Sequence, residues 1–158
     1  MKKENYRPQT RGEGGLYFAY GSNMDENQMA VRCPNSKLLG RAKLSGYRYI
    51  IYSRGFASVR PEEGAIVEGL LWAIPQEDEK TLDRYEGIQY NCYTKENMKV
   101  MFNEKDTECL VYIGTDDIDG TPGYSYQRLI VDAAKKHDLP KDYVEMLEGI
   151  LKKTGRGD

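Results

Sequence analysis

Residues 16–20, Leu-Tyr-Phe-Ala-Tyr, are apolar on both faces of an extended chain, with Leu16, Phe18 and Tyr20 on one and Tyr17 and Ala19 on the other. That pattern predicts a strand buried on both sides. The run breaks at Gly21-Ser22-Asn23, and residues 24–33 predict a short helix ended by Pro34. Residues 42–53 and 64–74 predict two long strands, with a short turn-bounded connection over 55–64. Pro75 opens a predicted helix that Gly87 closes. Residues 92–102 and 107–115 predict a strand pair turning at 103–106, and a loop over 116–123 follows. Two closing helices are predicted, one from Tyr126, Leu129, Ile130 and Ala133, the other from the i, i+3, i+4, i+7 stripe of Tyr143, Met146, Leu147 and Ile150.

Strands fill the middle and helices the edges, without a βαβ rhythm. The pattern predicts an α+β fold with a mixed or barrel-like sheet. A chain of 158 residues suits one domain, read over 15–153, with a loose tail at 1–14 and a frayed end at 154–158.

Composition narrows the function classes. The net charge is −2 with both signs interleaved, which argues against an electrostatic nucleic-acid binder. No run approaches the roughly 20 apolar residues of a membrane span, nor carries the flanks of a signal peptide. The expectation is a soluble cytoplasmic protein. Cys33, Cys92 and Cys109 are odd in number and widely spaced, so they read as free thiols rather than a disulfide or zinc framework. The one histidine, His137, falls at a helix end beside Asp138-Leu139-Pro140 and reads as a surface residue favourable to the helix dipole. Any acid–base chemistry then rests on a carboxylate, lysine or tyrosine. Thirteen tyrosines against three phenylalanines suit a polar pocket with apolar walls, or an amphipathic core rim.

Two places could carry chemistry. At the Gly21-Ser22-Asn23 corner, Ser22 lacks the G-x-S-x-G context of a nucleophile elbow and has no evident base. Gly21 permits close backbone approach, and Ser22 or Asn23 can cap the helix, so the corner reads as an anion cradle or as a plain N-cap. In "TLDRYEG", Leu82, Tyr85 and Glu86 share one helix face, and Asp83 and Arg84 point elsewhere. Glu86 sits in the last turn, against the negative end of the dipole and at the edge of the inward stripe. Both effects raise a carboxylate pKa and suit a general base, although an acid at a helix end can equally reach solvent. The acidic loop Asp116, Asp117 and Asp119 fails the EF-hand pattern and reads as solvated.

The stretches "YFAYGSN", "LDRYEG", "CLVYIGT" and "KKHDLPKDYVEML" together resemble the γ-glutamylcyclotransferase family, with similarity running from about Gly15 to Leu151. The resemblance implies a small mixed β-barrel with flanking helices. It implies cleavage of a γ-glutamyl amide by internal cyclisation, releasing 5-oxoproline and an amino acid or amine. It places the ligand loop on Tyr20, Gly21, Ser22 and Asn23, the catalytic glutamate on Glu86, and pocket tyrosines on Tyr93, Tyr112 and Tyr126. The implied partner is a small γ-glutamyl substrate, with no cofactor, metal, nucleic acid or membrane; a homodimer is left open. A non-catalytic module binding a small carboxylate in the same fold is the alternative, and a Ser22 hydrolase a distant third.

Overall fold

The structure, a computed structural model, describes residues 15–154; the tail at 1–14 and positions 155–158 of the frayed end lie outside the described residues. Strands β1 (Gly15–Ala19), β2 (Lys37–Ile51), β3 (Ala57–Ile74), β4 (Tyr93–Phe102) and β5 (Lys105–Gly114) close into one barrel in the order β1-β3-β2-β4-β5. All neighbours pair antiparallel except β1 and β5, which pair in parallel with Tyr17 opposite Leu110. The barrel is therefore mixed. Helices α1 (Glu26–Arg32), α2 (Gln76–Tyr85), α3 (Tyr124–Lys136) and α4 (Lys141–Lys152) flank it.

Burial follows the double-sided apolar runs. Tyr17, Phe18, Ala19 and Tyr20 are all buried, as are the successive positions 67–72 of β3 and 109–112 of β5. Consecutive burial without alternation means that both sheet faces are covered, one by the barrel interior and one by helices. Gln127 of α3, fully buried, accepts from the Tyr49 hydroxyl at 3.1 Å and donates to the Leu147 carbonyl at 3.2 Å. One side chain thus ties α3 to both β2 and α4.

The structure corrects several expectations. The stretch 55–64 is mostly strand: β3 starts at Ala57, and the hairpin turn lies at 52–56. Its polar middle, 61–64, is exposed on the arm of the hairpin, and Pro61 sits opposite Tyr47 beside a register shift. Exposure and a bulge, rather than a loop, explain the turn-like composition. Strand β2 starts at Lys37, five residues before the predicted start. Helix α1 is capped by Asp25, whose carboxylate accepts from the Gln28 N–H at 2.8 Å, so neither Ser22 nor Asn23 caps it. Its first turn is replaced by a 3-10 turn over Ser22–Met24. His137 is not on the open surface: its side chain is only 15% exposed, with Glu26 of α1 3.9 Å away. The three cysteines are free thiols, with Cys33 and Cys109 buried.

Candidate active site

The site forms where β1 ends. Strand β1 delivers Tyr20 and Gly21 to one end of the barrel, and the 3-10 turn swings Ser22 and Asn23 beneath α1. A Cβ on Gly21 would meet the Cβ of Ala57 at 3.2 Å and the Tyr126 hydroxyl at 3.5 Å, so a side chain there would fill the space in front of Tyr126. Helix α2 approaches from the other side and ends at Tyr85, with Glu86 as its C-cap. Gly87, left-handed at φ 66°, turns the chain sharply and leads through the 3-10 turn Ile88–Tyr90 to Tyr93 at the start of β4. These parts enclose a cavity of about 250 Å³, and Tyr20, Gly21, Ser22, Asn23, Glu86, Tyr93, Tyr112 and Tyr126 all line it.

Asn23 is the hub. It is buried, and its Nδ2 donates to the Tyr17 hydroxyl at 2.9 Å and to Glu86 Oε2 at 3.3 Å. Its Oδ1 accepts from Gln28 Nε2 at 2.9 Å and from Arg32 at 3.1 Å. A guanidinium only donates, so Arg32 fixes the amide orientation and turns the NH₂ toward Glu86. Ser22 Oγ accepts from Gln28 Nε2 at 2.7 Å. An amide cannot take up its proton, and among the described residues no histidine lines the cavity. The hydrogen bond of Ser22 thus gives it no partner that could act as its base.

Glu86 is half-buried and lines the cavity. Burial raises its carboxyl from an ordinary value of 4.5 to about 7. The Arg32 charge opposes the shift, the Asp83 charge adds to it, and the Asn23 hydrogen bond opposes it. The phenols of Tyr93, Tyr112 and Tyr126 are pushed well above the ordinary tyrosine range, chiefly by burial. They stay neutral hydroxyls, whereas Glu86 changes charge near neutrality. Among the described residues no group of three or more His, Cys, Asp or Glu could hold a metal ion.

Each tyrosine hydroxyl has a defined polarity. Tyr20 donates to the Tyr112 carbonyl at 2.5 Å and Tyr93 to the Ala57 carbonyl at 2.6 Å. Tyr126 instead accepts from the Ala57 N–H at 3.0 Å. Tyr112 donates to Asp83 Oδ1 at 2.5 Å.

Helix α2 keeps part of the face assigned by spacing, with Leu82 buried and Tyr85 lining the cavity beside Glu86, and departs from it in two respects. Tyr85 is 52% exposed, and the Arg32 guanidinium lies 4.4 Å from its ring centroid. Asp83, expected to point away, reaches Tyr112. The helix stops at Tyr85, so Glu86 owes its inward position to the cap and not to a continued stripe. Tyr17, Gln28, Arg32, Phe56 and Cys92 also line the cavity and were missed by the sequence reading. The i, i+4 spacing of Gln28 and Arg32 puts both on one helix face, a signal that could have found them.

Comparison with known proteins agrees with this geometry. The fold is that of the γ-glutamylcyclotransferases: a solved structure named gamma-glutamyl cyclotransferase superposes with a TM-score of 0.78 at 28% identity, over 84% of this chain and 85% of that one. A Mus musculus protein named gamma-glutamylcyclotransferase is 29% identical over 150 residues, 88% of this chain and 80% of the relative. Its Homo sapiens counterpart is 28% identical over 149 residues, 87% and 79%. The chain belongs to the AIG2-like family, whose model matches residues 66–147, more than half of the sequence. No helix among the described residues is long and apolar enough to cross a membrane.

Proposed function

We propose that this protein is a γ-glutamylcyclotransferase that cleaves a γ-glutamyl amide through attack by the substrate's own α-amine, releasing 5-oxoproline and an amino acid or amine. The observation that carries the reading is the 3.3 Å hydrogen bond from Asn23 to Glu86, which joins the glycine corner to the acid across one cavity. The names of the relatives support the same activity.

The nucleophile is tethered to the carbonyl it attacks, and good orientation alone supplies roughly 7–11 kcal/mol of such a barrier. Glu86 then takes the proton that the α-amine must lose. A peptide α-amine titrates at ~7.8, and the free α-carboxylate of a γ-glutamyl compound holds its α-amine higher; Glu86, raised to about 7, narrows the gap that an ordinary glutamate would leave. The nitrogen lone pair forms the bond to the γ-carbonyl carbon. Collapse breaks the bond to the leaving amine, whose nitrogen receives the proton back from Glu86. The start of a 3-10 turn leaves N–H groups that the turn itself cannot satisfy. At Gly21–Asn23 these groups, with the Tyr126 hydroxyl, receive the α-carboxylate or the developing oxyanion. Tyr20, Tyr93 and Tyr112 complete the binding wall.

The test is incubation with a panel of γ-glutamyl dipeptides and γ-glutamyl amines, with detection of 5-oxoproline, alongside the Glu86→Gln variant. Turnover by the wild type, reduced on the order of 10²–10⁴-fold in Glu86→Gln, is expected. Binding without turnover across the whole panel overturns the reading in favour of a carboxylate-binding module. Near-normal turnover by Glu86→Gln removes Glu86 from the base role.

A further inference from the structure

The second acid beside the cavity, Asp83, does not line it and is not needed to explain the proton transfers. It stands one helical position off the inward face, yet its two oxygens have distinct, fixed partners. Oδ1 accepts the phenolic proton of Tyr112 at 2.5 Å, and Oδ2 accepts from Lys95 Nζ at 3.0 Å. Lys95 is itself held by Glu79 Oε2 at 2.6 Å. The cluster therefore joins α2 to β4 and ends on the hydroxyl of Tyr112, a β5 residue that lines the cavity.

A phenol has one proton. With that proton on Asp83, Tyr112 presents only lone pairs to the cavity. The protons of Tyr20 and Tyr93 are likewise committed to backbone carbonyls. Ionised Glu86 also presents only oxygens, so this set of four side chains accepts and does not donate, in a cavity that also holds donors at Arg32, Tyr17 and Tyr126. Its complement is a cation rich in N–H groups. In a γ-glutamyl compound that group is the α-ammonium, which must also lie within reach of Glu86 before it loses its proton.

Resting on the function proposed above, we infer that Asp83 is a positioning residue that holds the Tyr112 hydroxyl as an acceptor for the substrate's α-ammonium group. The burial of Tyr112, which keeps its phenol neutral, is consistent with that role.

The near-isosteric change Asp83→Asn separates this role from a structural one. Lys95 demands an oxygen, so the asparagine must turn its Oδ1 to Lys95 and its NH₂ to Tyr112. That amide donates to the phenol oxygen, and the phenolic proton swings into the cavity, where it repels an ammonium. Steady-state kinetics at pH 8, above the Glu86 midpoint, are measured with γ-L-glutamyl-L-alanine, or with whichever member of the panel is turned over fastest. The expected result is a KM raised about tenfold or more in Asp83→Asn, with kcat within about threefold of wild type. Asp83→Ala, which frees the phenol and leaves Lys95 to Glu79, is milder. Tyr112→Phe raises KM as well, and the Asp83→Asn/Tyr112→Phe double variant is no worse than Tyr112→Phe alone, because Asp83 acts through that hydroxyl.

A KM within twofold of wild type in Asp83→Asn, fully additive effects in the double variant, or a loss confined to kcat overturns the inference. Thermal melts show whether each variant folds, and Tyr112→Phe tests the acceptor while keeping both carboxylate partners of Lys95. A wild type inert across the whole panel removes the proposed function and this inference with it. An active wild type with unaffected variants removes the inference alone.

Discussion

At the residue scale, the chemistry turns on how Glu86 is charged. Its carboxyl lies near 7 because burial outweighs Arg32 and Asn23, which pull the other way. As a base it works ionised, so kcat/KM should rise with pH through a midpoint near 7, and replacing Arg32 with Gln should move that midpoint upward. Linkage gives a second outcome. Between the ordinary value of 4.5 and the raised value, the folded state holds a proton that the unfolded chain has lost, so this group's contribution to stability falls as pH rises across that window. The full shift corresponds to about 3 kcal/mol. Glu86→Gln should therefore melt higher than wild type at pH 8 and no higher at pH 4, read by thermal denaturation at both. An unchanged difference between the two pH values would show that Glu86 is not held at a raised pKa. Stability and activity then oppose each other at one side chain, as they do when a site keeps a charge where packing disfavours it.

At the element scale, the end of α2 decides where that charge stands. Gly87 is left-handed, and a Cβ there would come within 2.8 Å of Cys92 Sγ. Gly87→Ala should cost about 1–3 kcal/mol in urea unfolding through the backbone alone, and more through the clash. It should lower kcat as well, since Glu86 is the adjoining residue. Gly149, inside α4, has open space where its Cβ would lie. Gly149→Ala should instead stabilise by roughly 0.5–1 kcal/mol without altering turnover. The same substitution with opposite signs tests the backbone argument directly. The corner after β1 obeys similar logic. Asp25 takes the capping duty for α1, which frees Asn23 to serve the cavity.

At the scale of the molecule, the barrel brings together segments that are distant in sequence. Asn23 and Glu86 stand 63 positions apart along the chain, and Tyr20 and Tyr112 stand 92 apart. Strand β1 is the keystone, hydrogen-bonded to β3 on one side and to β5 on the other. Backbone amides of residues 67–72, buried on both faces, should exchange slowest with deuterium. Those of the exposed hairpin arm at 62–64 should exchange fastest among the β3 positions. Mass spectrometry of exchanged peptides reads this, and uniform protection along β3 would contradict it.

The sequence by itself determined the local elements and the residues with a reason to be unusual. Apolar runs marked β1, the inner half of β3 and β5, since a strand covered on both faces loses its polar alternation. The helical stripes marked α3 and α4, and the Gly87 stop placed a carboxylate at the end of α2. All eight of the expected site residues line the one cavity. Tertiary structure alone decided the rest. The hairpin arm at 57–63 was hidden because its exposed end, from Pro61 on, carries the same polar, turn-like composition as a loop. Asp83 gave no signal, and the i, i+4 spacing of Gln28 and Arg32 marked a shared face but not what it meets, because these roles are pairwise: each matters through a partner brought up by barrel closure. Which hydroxyl donates and which accepts was also beyond the sequence, since a phenol's polarity is set by whichever group takes its single proton. A chain can announce its charges and its apolar faces locally, but the direction of a buried hydrogen bond exists only once both partners are in place.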